Sequence, residues 1–364
     1  MAKLLIDATP LVRARFDGIS RYAQELVANL KQPYSLVGFI DDKVPAAYQP
    51  NFRKLPIPRR LYSLLNKTIG VPAIGSKDDV MLCLNFFEFP KSRAKKIIFV
   101  HDLAYLGDND NVQTRNRWAL KQLVPESIKR AAKVATISQV SAKLLAKTYG
   151  IKTEDIAIIY PGLDQNRVKK ASSAQIEKAR AKYGLPAKYI LFIGTLEPRK
   201  NIMGIIDAYA SLPHNLRQDY GLVLGGKFGW HDQAFSERLA QLRAEGQAIV
   251  TPGYIDDNDL AALYTGASVL AFPSIDEGFG IPALEAMACD VPVVTSDIEV
   301  LREVAGPAAI FTNPHDPKSI ATGLEKVLTD SKLAAELVQK GRARIKHFTW
   351  SASAAELQSV IDKL

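Results

Sequence analysis

Residues 274–294 read SIDEGFGIPALEAMACDVPVV and follow an apolar run at 269–272. The pattern predicts a strand, a turn through Glu277-Gly278-Phe279-Gly280 and a short helix over 282–288, with Pro282 in the first turn, where its missing N–H costs nothing. The free amides of that turn point outward, and Gly278 and Gly280 let a ligand approach the main chain. Glu277 stands just before the turn and Glu285 about one helical turn inside, which suits two carboxylates binding hydroxyl groups of one ligand. The plainer alternative makes Glu285 a solvated helix residue and the glycines a simple turn. A second cluster, Arg199-Lys200-Asn201, follows the apolar run 189–193. Two cations at a helix start would add to the helix-terminal amides and favour a diphosphate. Taken alone, the same three residues also suit a solvated helix start.

These groups need a frame. Apolar runs at 4–8, 34–40, 80–84, 96–100, 134–137 and 156–159 alternate with helical patterns such as 21–30, 115–132 and 138–149. Strands that are apolar throughout, separated by helices, imply a parallel sheet covered on both faces. A second series follows at 189–193, 222–224, 248–250, 269–272, 291–295 and 308–311. The expectation is α/β with two Rossmann-like doubly wound domains: 1–165, a polar linker at 166–187, and 188–346. Residues 347–364 would form a helix crossing back to the first domain, with a capping box at Ser353 to Glu356. Ligands of such sheets bind at the carboxyl ends of the strands, so two such domains would place a site in the cleft they face.

At 364 residues, 47% hydrophobic and 23% charged, the chain is neither disordered, collagen-like nor a coiled coil. Its two cysteines, Cys83 and Cys289, support neither a disulfide scaffold nor a zinc site, and a reducing cytoplasm is expected. Asp7 interrupts any signal-peptide core, and no apolar run approaches the roughly 20 residues that span a bilayer. The net charge of +9 is uneven: 1–165 carry 25 basic and 15 acidic residues, whereas 166–364 carry 22 and 23. Between Lys43 and Lys77 lie seven basic residues and no acidic one, interleaved with Phe52, Leu55, Ile57, Leu61, Tyr62, Leu64 and Leu65. Such a stretch suits an anionic surface, or else a solvated face that only aids solubility. No nucleic-acid recognition motif accompanies it, so no nucleic-acid partner is expected.

The segment 274–294 contains the E-x7-E signature of retaining GT-B glycosyltransferases, and the chain resembles family 4 over nearly its whole length. Asp17-Gly18-Ile19-Ser20-Arg21-Tyr22 resembles the family's glycine loop at the donor phosphate, and Val100-His101-Asp102 its acceptor-side His-Asp. Residues 159–164 are similar to its domain-junction motif, and Gly194-Thr195-Leu196-Glu197-Pro198-Arg199-Lys200-Asn201 to the motif opening its second domain. Residues 251–255, containing Tyr254 and Ile255, resemble its nucleobase loop, and the acids at 256–259 are expected to cap the next helix.

The resemblance implies a GT-B fold, with two domains facing a central cleft, and transfer of a hexose with retention at the anomeric carbon. Arg199 and Lys200, with the amides at Gly280 and Ile281, would stabilise the departing diphosphate. Glu277 would hold the hexose, Glu285 the ribose, and His101 would lie near the reacting carbon. Gly18, Tyr254, Ile255, Gly278 and Phe279 complete the implied donor site. No cofactor and no metal is expected. Neither Asp108-x-Asp110 nor Asp257-x-Asp259 has a metal-ligand setting.

By the same resemblance the favoured donor is GDP-mannose and the favoured acceptor a lipid-linked glycan, as in bacterial polysaccharide assembly. The enzyme would be cytoplasmic, peripheral on the inner face of the membrane through 43–67. A UDP-sugar donor or a sugar-nucleotide epimerase on the same fold remain alternatives. A dinucleotide oxidoreductase is disfavoured because the first βα turn lacks G-x-G-x-x-G. A binding protein with a dead site is disfavoured by the full set Arg199, Lys200, Glu277 and Glu285.

Overall fold

The computed structural model describes residues 3–12, 18–68, 73–106, 114–165, 167–229 and 233–364, with the side chains of 66–68 and 114–116 left aside. Asp17, Asp108 and Asp110 lie outside the described residues. The chain divides into two compact units, Met1–Gly162 with Trp350–Leu364, and Leu163–Thr349.

The first unit is built on seven strands: β1 (Leu4–Asp7), β2 (Tyr34–Phe39), β3 (Phe52–Leu55), β4 (Val80–Cys83), β5 (Lys95–Phe99), β6 (Lys133–Thr136) and β7 (Ile156–Ile158). They pair in the order β3-β2-β1-β4-β5-β6-β7, every pair parallel. Its helices are α1 (Gly18–Ala28), α2 (Arg59–Thr68), α3 (Thr114–Lys129) and α4 (Gln139–Tyr149). β1 and β4 are buried at every position, as strands covered on both faces must be. β3 was not expected. Its middle residues Arg53 and Lys54 are exposed, which suits the sheet edge it forms against β2.

The second unit opens with α5 (Ser173–Tyr183), followed by β8 (Tyr189–Ile193), α6 (Ile202–Ala210), α7 (His214–Asp219), β9 (Gly221–Gly225) and α8 (Gln233–Ala244). Then come β10 (Ile249–Gly253), α9 (Asp257–Gly266), β11 (Val269–Phe272), α10 (Ile281–Ala288), β12 (Val293–Ser296) and α11 (Glu299–Ala305). β13 (Ala309–Thr312), α12 (Pro317–Thr329) and α13 (Ser331–Arg344) complete it. The sheet order is β10-β9-β8-β11-β12-β13, again all parallel. The loops after β8 and β9 approach so closely that a Cβ on Gly226 (φ +144°) would lie 1.7 Å from the Gly194 carbonyl oxygen.

Three expectations change. The helix-prone stretch expected to link the domains is part of the second unit: α5 has a Ser172–Gln175 capping box, buries Ala179, and donates from the Tyr183 hydroxyl to Asp259 at 2.9 Å. The last helix, α14 (Trp350–Asp362), starts before the expected capping box. Ser353 lies inside it, buried, and donates its hydroxyl to the Tyr160 carbonyl, while Trp350 packs edge-on against Tyr22 with centroids 5.5 Å apart. Asp256, at the N-cap of α9, makes no side-chain cap bond. Asp256 and Asp259 pair with Lys182, and Asp257 with Arg167, partners 74 to 90 residues distant in sequence.

Candidate active site

In each sheet the strand order reverses once, between β1 and β4 and between β8 and β11. The carboxyl ends of the strands flanking such a reversal diverge and leave a crevice where ligands bind. The two segments that the sequence marks as chemical follow β8 and β11. The chain leaves β8 through Gly194 and makes a single 3₁₀ turn, Pro198–Lys200, before Asn201 (φ +59°) starts α6. Arg199 and Lys200 therefore stand one turn ahead of the helix and not within it.

Main-chain and side-chain bonds fasten this turn to the loop after β11. The Ile275 amide donates to the Arg199 carbonyl at 2.9 Å, and the Asn201 side-chain amide donates to the carbonyls of Pro273 (3.0 Å) and Pro314 (2.6 Å). Onto that frame the Lys200 ammonium donates to Glu277 Oε1, which also accepts from the Ser274 hydroxyl at 2.9 Å. The Arg199 guanidinium reaches Glu277 Oε2 at 3.5 Å, the Asp276 carbonyl at 2.9 Å and Glu197 at 3.0 Å. The side chain of Glu277 is 7% exposed, that of Lys200 13% and that of Arg199 25%, so the cations reach water while the carboxylate beneath them is withdrawn.

α10 begins as expected, with Pro282 in its first turn and Gly280 at φ +104° as the preceding residue. A side chain at 280 would place its Cβ 2.5 Å from the buried Leu301 Cδ2, so both φ and space call for glycine. Phe279 is 4% exposed with its ring edge-on to Phe348. Glu285 is buried within α10 and is not a solvated helix residue. Its Oε1 accepts from Arg167 Nη1 at 2.6 Å and its Oε2 from the Tyr264 hydroxyl at 2.9 Å. Burial pushes the Tyr264 phenol well above its ordinary pKa, and the Glu285 carboxylate adds to the shift. Glu277 and Glu285 thus have separate sets of partners. Beyond β10, Tyr254 is 57% exposed with the Lys227 ammonium 4.6 Å from its ring centroid, and Ile255 is buried.

Two of the expected residues belong to the first unit. Gly18 is the first residue of α1, and among the described residues no atom outside its own helix backbone comes within 4 Å of where a Cβ would lie. His101 follows β5 and is 4% exposed among the rings of Tyr22, Phe86 and Phe99. Its Nε2 donates to the Leu84 carbonyl at 3.0 Å. Also here, Asp7 ends β1 fully buried, and burial pushes its carboxyl up to about 6 although Thr9 donates to it twice.

Arg167, Tyr264, Ser274, Asn201 and Lys227 were not anticipated as parts of the site. Asn201 ended a marked motif and Ser274 began one. Arg167 and Tyr264 reach Glu285 from 118 and 21 residues away in sequence, where no local pattern points to them.

Two all-parallel, doubly wound units, one carrying paired cations and two carboxylates largely withdrawn from water after the strands flanking its reversal, are the components of a GT-B fold. The Glycosyltransferase Family 4 model matches residues 16–167 and the Glycosyl transferases group 1 model residues 175–344. O-antigen chain mannosyltransferase B of Escherichia coli is 30% identical over 369 aligned positions, covering 95% of this chain and 96% of that one. The serotype-specific mannosyltransferase WbdA of Escherichia coli is 32% identical, covering 76% of this chain and 36% of its own length. Among solved structures, HepE from Anabaena in complex with UDP and glucose superposes with a TM-score of 0.74 at 18% identity, covering all of both chains. The chain belongs to the family 4, group 1 glycosyltransferases, and it is a glycosyltransferase.

Proposed function

We propose that this enzyme transfers mannose from GDP-mannose to a hydroxyl of a lipid-linked glycan, with retention and without a divalent metal. The observation that carries the reading is the Arg199–Lys200–Glu277 cluster after β8 and β11. As the glycosidic bond breaks, negative charge grows on the leaving diphosphate. Two cations fixed by main-chain bonds can stabilise that charge without reorganising, usually the largest catalytic contribution. Glu277, oriented by Lys200 and Ser274, offers a carboxylate to hexose hydroxyls, and Glu285 offers one to the ribose. Tyr254 offers an exposed ring for the base, and the acceptor side is assigned to His101. Mannose is supported by the names of the Escherichia coli relatives, and a glycan acceptor by the O-antigen chain named in the first of them. A panel of GDP- and UDP-sugars tested for acceptor-dependent turnover in EDTA checks this. Turnover of GDP-mannose is expected, and a strict Mg²⁺ requirement or preference for another sugar would count against it.

Acceptor delivery at the membrane is part of this reading. No helix among the described residues is long and apolar enough to cross a bilayer. α2 instead exposes Leu61 (45%) and Leu64 (59%) beside exposed Arg60, with Arg53 and Lys54 exposed on edge strand β3. Arg59 is not part of this face: it is ion-paired with Asp42 at 2.8 Å and lies over the Phe39 ring. Each remaining basic residue at an anionic surface contributes about 1 kcal/mol. Sedimentation should show salt-sensitive binding to anionic but not neutral vesicles, lost in Leu61→Asp/Leu64→Asp. Absence of binding to either vesicle leaves the face as a solvated one.

A further inference from the structure

Arg167 joins acidic side chains from two helices. Its Nη1 donates to Glu285 on α10 at 2.6 Å, and its Nε and Nη2 donate to Asp257 Oδ1 on α9 at 3.1 and 3.0 Å. The Arg167 side chain is 18% exposed and that of Glu285 7%, so both charges are largely withdrawn from water, and each needs the other. Burial alone would lower the Arg167 pKa, but the Glu285 and Asp257 carboxylates more than offset it, and the guanidinium stays charged.

A carboxylate has about four acceptor sites, two on each oxygen. Arg167 fills one on Glu285 Oε1 and Tyr264 fills one on Oε2. One site remains on each oxygen, which is what two vicinal hydroxyls require. We propose that Arg167 is a positioning residue that, together with Tyr264, fixes the Glu285 carboxylate in the orientation that receives the ribose hydroxyls of the donor nucleotide. The inference rests on the reading of Glu285 as the ribose-binding carboxylate. It assigns discrimination for ribose to an Arg167–Glu285–Tyr264 unit and not to Glu285 alone. A lysine at 167 would keep the charge but not the fork that spans both acids.

Preference for ribose over deoxyribose tests this. GDP, UDP and their 2′-deoxy forms are titrated against the full-length chain by calorimetry. The wild type should bind the ribonucleotide of its preferred pair about 10- to 100-fold tighter than the deoxy form, the worth of one hydrogen bond to a charged group. Arg167→Gln should reduce that ratio to about threefold or less, and Arg167→Lys should restore only part of it. Should Arg167→Gln not fold, Tyr264→Phe, which removes one hydroxyl and keeps the ring, should lower the ratio in the same direction. An Arg167→Gln protein that weakens both nucleotides equally and keeps the wild-type ratio would overturn the inference. Failure of the underlying reading looks different: the wild type shows no ribose preference or binds neither nucleotide pair, or Glu285→Gln leaves the preference unchanged.

Discussion

Replacing Lys200 by methionine would separate the pairing of its ammonium with Glu277 from the role proposed for it, stabilising a departing diphosphate. Glu277 is 7% exposed, and removing the partner of a buried charge typically costs about 3–5 kcal/mol. Here the carboxylate keeps the Ser274 hydroxyl at 2.9 Å and the Arg199 guanidinium at 3.5 Å, so the expected loss of stability is smaller, about 1–3 kcal/mol. Adding Glu277→Gln removes the buried charge and should return most of that stability. The rate behaves differently. Losing one fixed donor to a developing anion lowers turnover about 100- to 1000-fold, and the second substitution cannot restore it. Urea unfolding and acceptor-dependent nucleotide release, measured on wild type, Lys200→Met and Lys200→Met/Glu277→Gln, separate the two effects. Recovery of turnover together with stability in the double variant would refute the reasoning, because Lys200 would then serve only to neutralise Glu277.

Two further outcomes follow from the frame. Asp7 binds its proton more tightly folded than unfolded, so its contribution to stability is greatest below its ordinary pKa of 3.8 and falls as the pH rises to about 6. Asp7→Asn should therefore stabilise the protein by up to about 3 kcal/mol at pH 8 and give no advantage near pH 4, and a pH-independent difference in unfolding free energy would contradict this. Gly226→Ala would drive a Cβ to 1.7 Å from a backbone oxygen at φ +144°, and should destabilise by more than about 3 kcal/mol or abolish folding; an unchanged melting temperature would show that the loops after β8 and β9 are not so tightly apposed.

The sheet was legible because its strands are buried on both faces, and an unbroken apolar run such as Val80–Cys83 or Val269–Phe272 has few other uses. Edge strand β3 was not, since Phe-Arg-Lys-Leu with its middle in water reads as part of a charged stretch. Motif residues were legible where chemistry and local conformation coincide, as at Gly280 and Pro282. Local rules failed where a distant partner took over. Asp256, Asp257 and Asp259 look like helix caps but pair with Lys182 and Arg167, and Ser353 looks like a cap but bonds Tyr160. Arg167 was hidden for the same reason: its importance lies in α9 and α10, and its own surroundings read as a linker.

The claim that Arg199 and Lys200 hold the diphosphate of a sugar nucleotide during transfer is tested most directly by nucleotide release from GDP-mannose in EDTA, with and without a lipid-linked glycan acceptor. The comparison is between wild type and Arg199→Met/Lys200→Met. Acceptor-dependent release is expected from the wild type, slowed at least about 1000-fold in the double variant while the protein remains folded. Release that ignores the acceptor, or a double variant turning over at the wild-type rate, would contradict it.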